Sequence, residues 1–407
     1  MNTNPTTKGR FSYRAMMLLA LMSLITVAST RLQADTGSCG GVNVTLPFTD
    51  LAGNGFFCQI AAAYFSGLTN GTSPTTFSPR DFVTREQMAA FISRTLDQSL
   101  KRGSQRAVTK NNGTPQTVTS LALTPVGSDP QLVEFDGTDL WVANLSSHSV
   151  MRIRPGDGKL LGTWTGATFG IGIVAAMGKI FITGGTNPGS LYLIDPTQLP
   201  GAVTTVTGSL GISPLGIAFD GSRVWTANAG GSVSIVALNP TSVTTVSTGF
   251  SNLQGILYDG SNIWVTDVGA GTLLKLNSDG SIAQTINVGN NPKFPVFDGT
   301  NIWVPNRLSN SLTVVRVRDA VGNPLANAFV LATLTDNGLS TPVVGAFDGE
   351  RILVTNGPGN IVSLWKAADL SPLGSFSTGI SSVPTGACSD GLNFWITFNG
   401  SDQLARF

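Results

Sequence analysis

The chain has 407 residues, enough for more than one domain, with 48 glycines and only 12% charged residues. That balance suits short strands joined by tight turns, because glycine supplies the positive φ that hairpin turns demand. A formal net charge of +1 excludes a global field that would gather nucleic acid or an acidic membrane surface, and 41% hydrophobic content excludes disorder outside the tails.

Residues 1–34 read as an export signal. Lys8, Arg10 and Arg14 precede the apolar run 15–28, and Ala34 offers a small residue for cleavage before Asp35. The run is short for a bilayer span of about 20 residues, and none like it follows, so no stable membrane span is expected after cleavage. Cysteine use agrees with export: Cys39 and Cys58 are close enough in sequence to pair in an oxidising compartment. Cys388 is left over and reads as a buried, inert thiol.

Residues 35–100 form a predicted small helical module. Phe57, Ile60, Ala61, Tyr64 and Phe65 recur at helical spacing, and Gly67 can end that helix. A polar loop closes on Phe77-Ser78-Pro79. Thr84, with Gln87 three residues on, forms a capping-box arrangement before a second helical run carrying Met88, Phe91, Ile92 and Leu96. Two helices bury little alone, so a Cys39–Cys58 bridge or self-association would support them. The ordered landmarks Phe48-Thr49-Asp50, Gly67-Leu68-Thr69, Phe77-Ser78-Pro79 and Val83-Thr84-Arg85-Glu86-Gln87-Met88-Ala89 resemble an S-layer homology (SLH) domain. The resemblance implies a cell-wall polysaccharide partner and a bacterial envelope or surface location, with Arg85 as the arginine that meets the polymer's acidic groups. A guanidinium suits that role because it matches a carboxylate as a bidentate fork. Gln87 departs from the family's usual Glu, and one copy stands where three commonly assemble. Residues 101–115, basic and punctuated by Gly and Pro, read as a linker.

From residue 116 to 407 one unit recurs. It begins at Phe135-Asp136-Gly137, with Trp141 and Asn144, and returns at Asp220-Gly221, Asp259-Gly260, Asp298-Gly299, Asp348-Gly349 and Asp390-Gly391. A degenerate copy sits at Met177-Gly178. The glycines 137, 178, 221, 260, 299, 349 and 391 differ by 41, 43, 39, 39, 50 and 42. A period near 40 is that of a four-stranded propeller blade, and the expected fold is mainly β: a seven-bladed β-propeller behind the small α-helical SLH-like module. The Trp is expected to fill the space between blades, and the motif Asp to cap its own turn. Carboxylates spread one per blade cannot converge on a site. Residues 116–123 alternate like a strand and can complete the last blade, so that both chain ends latch the ring and leave no open edge. An insertion around residues 321–328 accounts for the spacing of 50 and is the expected extra loop. Copies such as Ile352-Leu353-Val354-Thr355-Asn356 resemble YVTN-type repeats of bacterial surface proteins, and more distantly NHL-type and virginiamycin B lyase propellers. This resemblance implies fold, and says little about activity.

No Cys-x-x-Cys, phosphate loop or nucleophile elbow is present, so neither cofactor nor metal is expected. The single histidine, His148, lies in the turn after Asn144, on the face where ligand-binding loops gather; it is the one catalytic candidate, as a lone general base, or else a solvated loop residue. The same face should collect Gln131, Asn144, Asn187, Asn228, Gln254, Asp267, Lys293, Asn306, Arg307 and Asn356. Either these form an amide-rich rim for a glycan or a peptide, or the asparagines simply cap the turns behind each second strand. Two readings follow: an exported, non-enzymatic surface protein displaying a propeller for protein or carbohydrate, or a propeller lyase or hydrolase acting on a glycan or lactone at the channel mouth.

Overall fold

The computed structural model describes residues 34–39, 42–65, 69, 71–85, 88, 123–319 and 321–407. The predicted export signal, the linker and nearly all of the second helical run lie outside them. The chain divides into two compact units, 1–99 and 100–407.

In the first unit a hairpin, Thr36–Cys39 with Val42–Thr45, precedes a helix, Phe57–Phe65. The hairpin was not expected, and it leaves the described part of this module less helical than its sequence pattern suggested. Leu46, Phe48, Leu51, Phe57, Ile60 and Ala61 make its core. Cys39 and Cys58 are disulfide-bonded, tying hairpin to helix. So small a core needs that staple.

The second unit is a propeller of seven four-stranded antiparallel sheets. Blades 1–6 occupy residues 130–165, 170–210, 214–246, 253–287, 296–334 and 342–377. Blade 7 takes three strands from residues 384–406 and its outermost from Leu123–Pro125, which pairs with Gln403–Ala405. The latch is therefore built as expected, but from a strand beginning where the predicted one ends; residues 116–122 lie outside the described residues. The insertion in blade 5 is not a loop. It lengthens the outer hairpin into Ser311–Arg318 and Pro324–Leu334, because Val-, Leu- and Phe-rich sequence on both arms continues the ladder.

The repeat residues explain the ring. Asp136 Oδ1 accepts the N–H groups of Thr138 and Asp139, while Oδ2 accepts Trp141 Nε1 at 2.7 Å. Asp220, Asp259, Asp298 and Asp390 repeat the pattern with Trp225, Trp264, Trp303 and Trp395 at 2.7–2.8 Å. One carboxylate thus caps the turn and fixes the indole that the blade presents to its neighbour. Trp225 packs against Leu253 and Ile263 of the next blade, and Trp395 reaches Val133 and Leu140 across the closure. Burying such a ring contributes about 5 kcal/mol of transfer free energy. Where the Trp is replaced by Leu353, Asp348 Oδ2 takes Arg351 Nε at 2.9 Å instead. In blade 2 both partners go together: buried Ala176 stands where the register puts the Asp, and Phe181, with no N–H to satisfy, replaces the Trp.

A second stitch was not read from the sequence. Thr183, Thr266, Thr355 and Thr397, all fully buried, donate to the carbonyls of Leu215, Lys293, Thr385 and Gln131, which lie on the first strand of the following blade or, for Lys293, just before it. The last, at 2.6 Å, joins residues 266 apart and closes the ring.

Candidate functional site

In each blade the Asp-Gly turn lies at one end of the strands. The turn between second and third strands and the loop entering the first strand lie together at the other end. Backbone bonds fasten these two: Leu145 to Asp129, Gly185 to Phe169, Ala229 to Ser213, Val268 to Asn252, Arg307 to Asn291 and Asn399 to Val383. This upper face carries the predicted site residues, and the structure sorts them into two groups.

Asn144, Asn228, Asn306 and Asn356 are fully buried, and Asp267 is 1% exposed. Asn228 Nδ2 donates to Ser232 and Ser234, Asn306 Nδ2 to Ser311 and Thr313, and Asn356 Nδ2 to Ser363. The oxygens of Asn306 and Asn356 accept from the entering loops, from Gly289 N–H and Ser340 N–H; that of Asn228 accepts Thr226 Oγ1, and that of Asn144 is buried without a hydrogen-bond partner among the described residues. Asp267 accepts N–H groups of Ser251, Asn252, Gly269 and Ala270. Asn306, Asn356 and Asp267 lock turn to loop, Asn144 and Asn228 bond within their own blade, and all five are too buried to form an exposed rim.

Gln131, His148, Asn187, Gln254, Lys293 and Arg307 remain. Asn187 is exposed; Gln131, His148, Gln254 and Arg307 are half-buried. Gln131 Nε2 donates to Asp129 Oδ1 at 2.5 Å, and Asn399 Nδ2 bonds the same oxygen. Lys293 is 9% exposed, and its Nζ donates to Gln254 Oε1 at 2.5 Å. Burial, and then the charge of Arg307, bring the Lys293 ammonium down to about 8. His148, in a left-handed conformation, sets its ring edge-on to Phe169 with centroids 4.9 Å apart. It is not brought against a carboxylate, so the structure supplies no acid–base pair around it.

Phe169 escaped the sequence reading. It is 46% exposed and left-handed at φ 52°, directly before the first strand of blade 2. Asp129, Ser213, Asn291 and Thr341 hold that place in four other blades. Val383 holds it in blade 7, so an aromatic among mostly small polar residues was the available signal. Ile212, Leu308 and Ile380 are further exposed apolar residues on the same loops, at 50%, 69% and 98%. Glu134 was also missed. Burial, partly offset by the Ala175 N–H, raises its carboxyl to about 7; it adjoins the Asp-Gly turn of blade 1, at the opposite end of the strands from His148. Cys388 is half-buried rather than fully covered, and burial pushes its thiol well above its usual value.

In the N-terminal unit, Phe48 meets Phe77 with ring centroids 5.6 Å apart, and the Asp50 carboxylate accepts the N–H groups of Phe77 and Ser78. The sequence landmarks Phe48-Thr49-Asp50 and Phe77-Ser78-Pro79 are thus the two halves of one contact. Beside it Asp50, Asn54, Ser78, Arg80 and Asp81 line an open groove of about 300 Å³. Arg85 is exposed just beyond. Residues 47–89 match the S-layer homology domain. Such a domain indicates cell-envelope or surface association in bacteria, and SLH domains generally bind cell-wall polysaccharide. No curated protein sequence matches the chain.

Among solved structures the propeller is similar to Kuenenia stuttgartiensis hydrazine synthase, with TM-score 0.55 and 16% identity over 70% of this chain and 96% of that one. It is similar to virginiamycin B lyase from Staphylococcus aureus, with TM-score 0.55 and 14% identity over 70% and 98%. The Myceliophteria thermophila Cps50 (Swd1) β-propeller domain gives 0.58 and 9% over 70% and 99%. At such identities the likeness is one of fold. Among the described residues no helix is long and apolar enough to cross a membrane.

Proposed function

We propose that this is an exported, non-enzymatic surface protein whose SLH module holds it to cell-wall polysaccharide while the upper face of the propeller binds a glycan or protein ligand. The observation that carries the reading is that four upper-face loops each present an exposed aromatic or aliphatic side chain, Phe169, Ile212, Leu308 and Ile380, beside the polar Gln254, Arg307 and His148. Apolar groups on surface loops cost solvation unless a partner covers them, and loops on a rigid scaffold are where binding residues gather. Catalysis would need converging ionisable groups, and Glu134 and Lys293, both perturbed by burial, belong to opposite ends of the strands.

The test has two arms. Purified cell-wall polysaccharide should retain the chain and should lose it when residues 35–105 are removed, or when Arg85→Ala is introduced. For the propeller, a glycan and peptide array should give a ligand whose binding weakens at least tenfold in Phe169→Ala. Retention without the module sinks the anchoring claim; an array ligand indifferent to Phe169 sinks the placement of the site.

A further inference from the structure

We infer that the channel mouth at blade 5 is a carboxylate-binding site for an acidic saccharide, with Lys293 and Arg307 as its cationic pair and Gln254 as its neutral partner. The inference rests on the upper-face reading above and names the ligand class.

Lys293 occupies a position that recurs around the ring. Like those of Gln131, Leu215 and Thr385, its carbonyl accepts the threonine hydroxyl of the preceding blade, which puts these residues at the head of the innermost strands. Of these four only Lys293 carries a charge. Blade 5 is also where the inner ladder breaks. Its first strand is only Val296–Phe297, whereas the first strands of the other blades run six or seven residues, and Pro295 and Pro292 leave the approach held by isolated bridges. Lys293 N–H bonds Pro305 O at 2.8 Å and Arg307 N–H bonds Asn291 O at 3.0 Å, so two short segments of one blade hold both cations in place.

The charges are not compensated. None of the ion pairs among the described residues includes Lys293 or Arg307. Lys293 is nine-tenths buried, its ammonium bonded to a neutral amide and facing a like charge, which is why its proton is held less firmly than usual. Buried charges are ordinarily paired, and a cation kept beside another cation is placed for an anion that arrives from outside. A guanidinium offers a planar fork to a carboxylate and an ammonium a point charge, so the pair suits one carboxylate better than a spread of charge. The neutral Gln254 at the head of the neighbouring blade, bonded to the ammonium itself, suits the hydroxyls that surround a single carboxylate on a uronic acid. A polyacidic peptide would ask for more cations.

The experiment is calorimetric titration of the full chain with tetragalacturonic acid, its fully methyl-esterified counterpart and tetraglutamate. The acid should bind at least tenfold more tightly than the ester, and Lys293→Met and Arg307→Gln should each abolish that preference. Lys293→Met should keep a cooperative melt at an equal or higher temperature, since it removes an uncompensated buried charge; Arg307→Gln, at a half-exposed turn, decides the matter if the first variant fails to fold. Equal binding of acid and ester, no binding of either, or a preference that survives in both variants overturns the inference. An equal binding that still requires Phe169 would overturn the carboxylate site alone and leave the upper-face reading standing. Lys293-dependent binding of tetraglutamate without the oligouronide would overturn the saccharide assignment in favour of an acidic peptide.

Discussion

Replacing Asp259 by Asn separates the two duties of the repeat carboxylate. Asp259 is 3% exposed; Oδ1 accepts Ser261 and Asn262 N–H at 2.8 and 2.7 Å, and Oδ2 accepts Trp264 Nε1 at 2.8 Å. An Asn in the same rotamer keeps the two turn bonds through its carbonyl oxygen. It then points an NH2 group at an indole N–H that is itself buried, Trp264 being 1% exposed. A charge-assisted bond is lost and two donors face each other, which costs about 2–3 kcal/mol. At about 2–4 °C per kcal/mol for a domain of this size, the melting temperature should drop by roughly 4–12 °C. Equilibrium urea unfolding followed by tryptophan fluorescence gives the free energy directly. Trp264→Phe removes the indole donor, so Asp259→Asn should cost clearly less in that background, with a coupling of about 1 kcal/mol or more. Strict additivity, or a loss below about 0.5 kcal/mol for the single variant, would refute the assignment of Asp259 as the anchor of the blade-filling ring.

Thr397→Val keeps shape but strips the hydroxyl that serves Gln131 O and Gly386 N–H, and should destabilise the ring by about 1–3 kcal/mol in the same unfolding assay. Gly216→Ala would bring a methyl group to 2.4 Å from Gln254 O on the next blade, so overpacking should cost about 1–3 kcal/mol or more, measured by thermal melting. Acid should loosen the blades in a defined window. Desolvation opposes the ionisation of Asp220, but bonds from Trp225, Arg223 and Ser222 outweigh it and lower its carboxyl to about 2. Its folded value lies below the unfolded one, so its stabilisation is present above about pH 4 and lost as pH falls towards 2. Melting temperature against pH should decline through that interval, and more gently in Asp220→Asn.

Much of the fold was legible because the repeat is chemistry as well as pattern. An Asp-Gly pair forces a tight turn wherever it stands, and a Trp at a fixed offset must find a place between layers, so period, blade number and the inertness of the motif Asp could be read from 407 letters. The circular closure was legible too, since an open propeller would expose an edge; among the described residues its strand is Leu123–Pro125, which meets the predicted segment at Leu123. The SLH landmarks were readable as a set, although only the folded contact of Asp50 with Phe77 and Ser78 shows why their spacing matters. The candidate site was less legible. Sequence placed Asn144, Asn228, Asn306 and Asn356 on the right face, but burial decides whether an amide meets a ligand or its own loop. Burial is set by neighbours distant in the chain. Phe169 and Lys293 matter for the same reason: one is left uncovered where most other blades carry a small polar residue, the other is covered beside Arg307 and in none of the ion pairs among the described residues. A repeated sequence determines what its units share, since each copy obeys the same local rules. What distinguishes one blade from the next, and with it the ligand, arises only when seven copies close into a ring and their differences meet at one mouth.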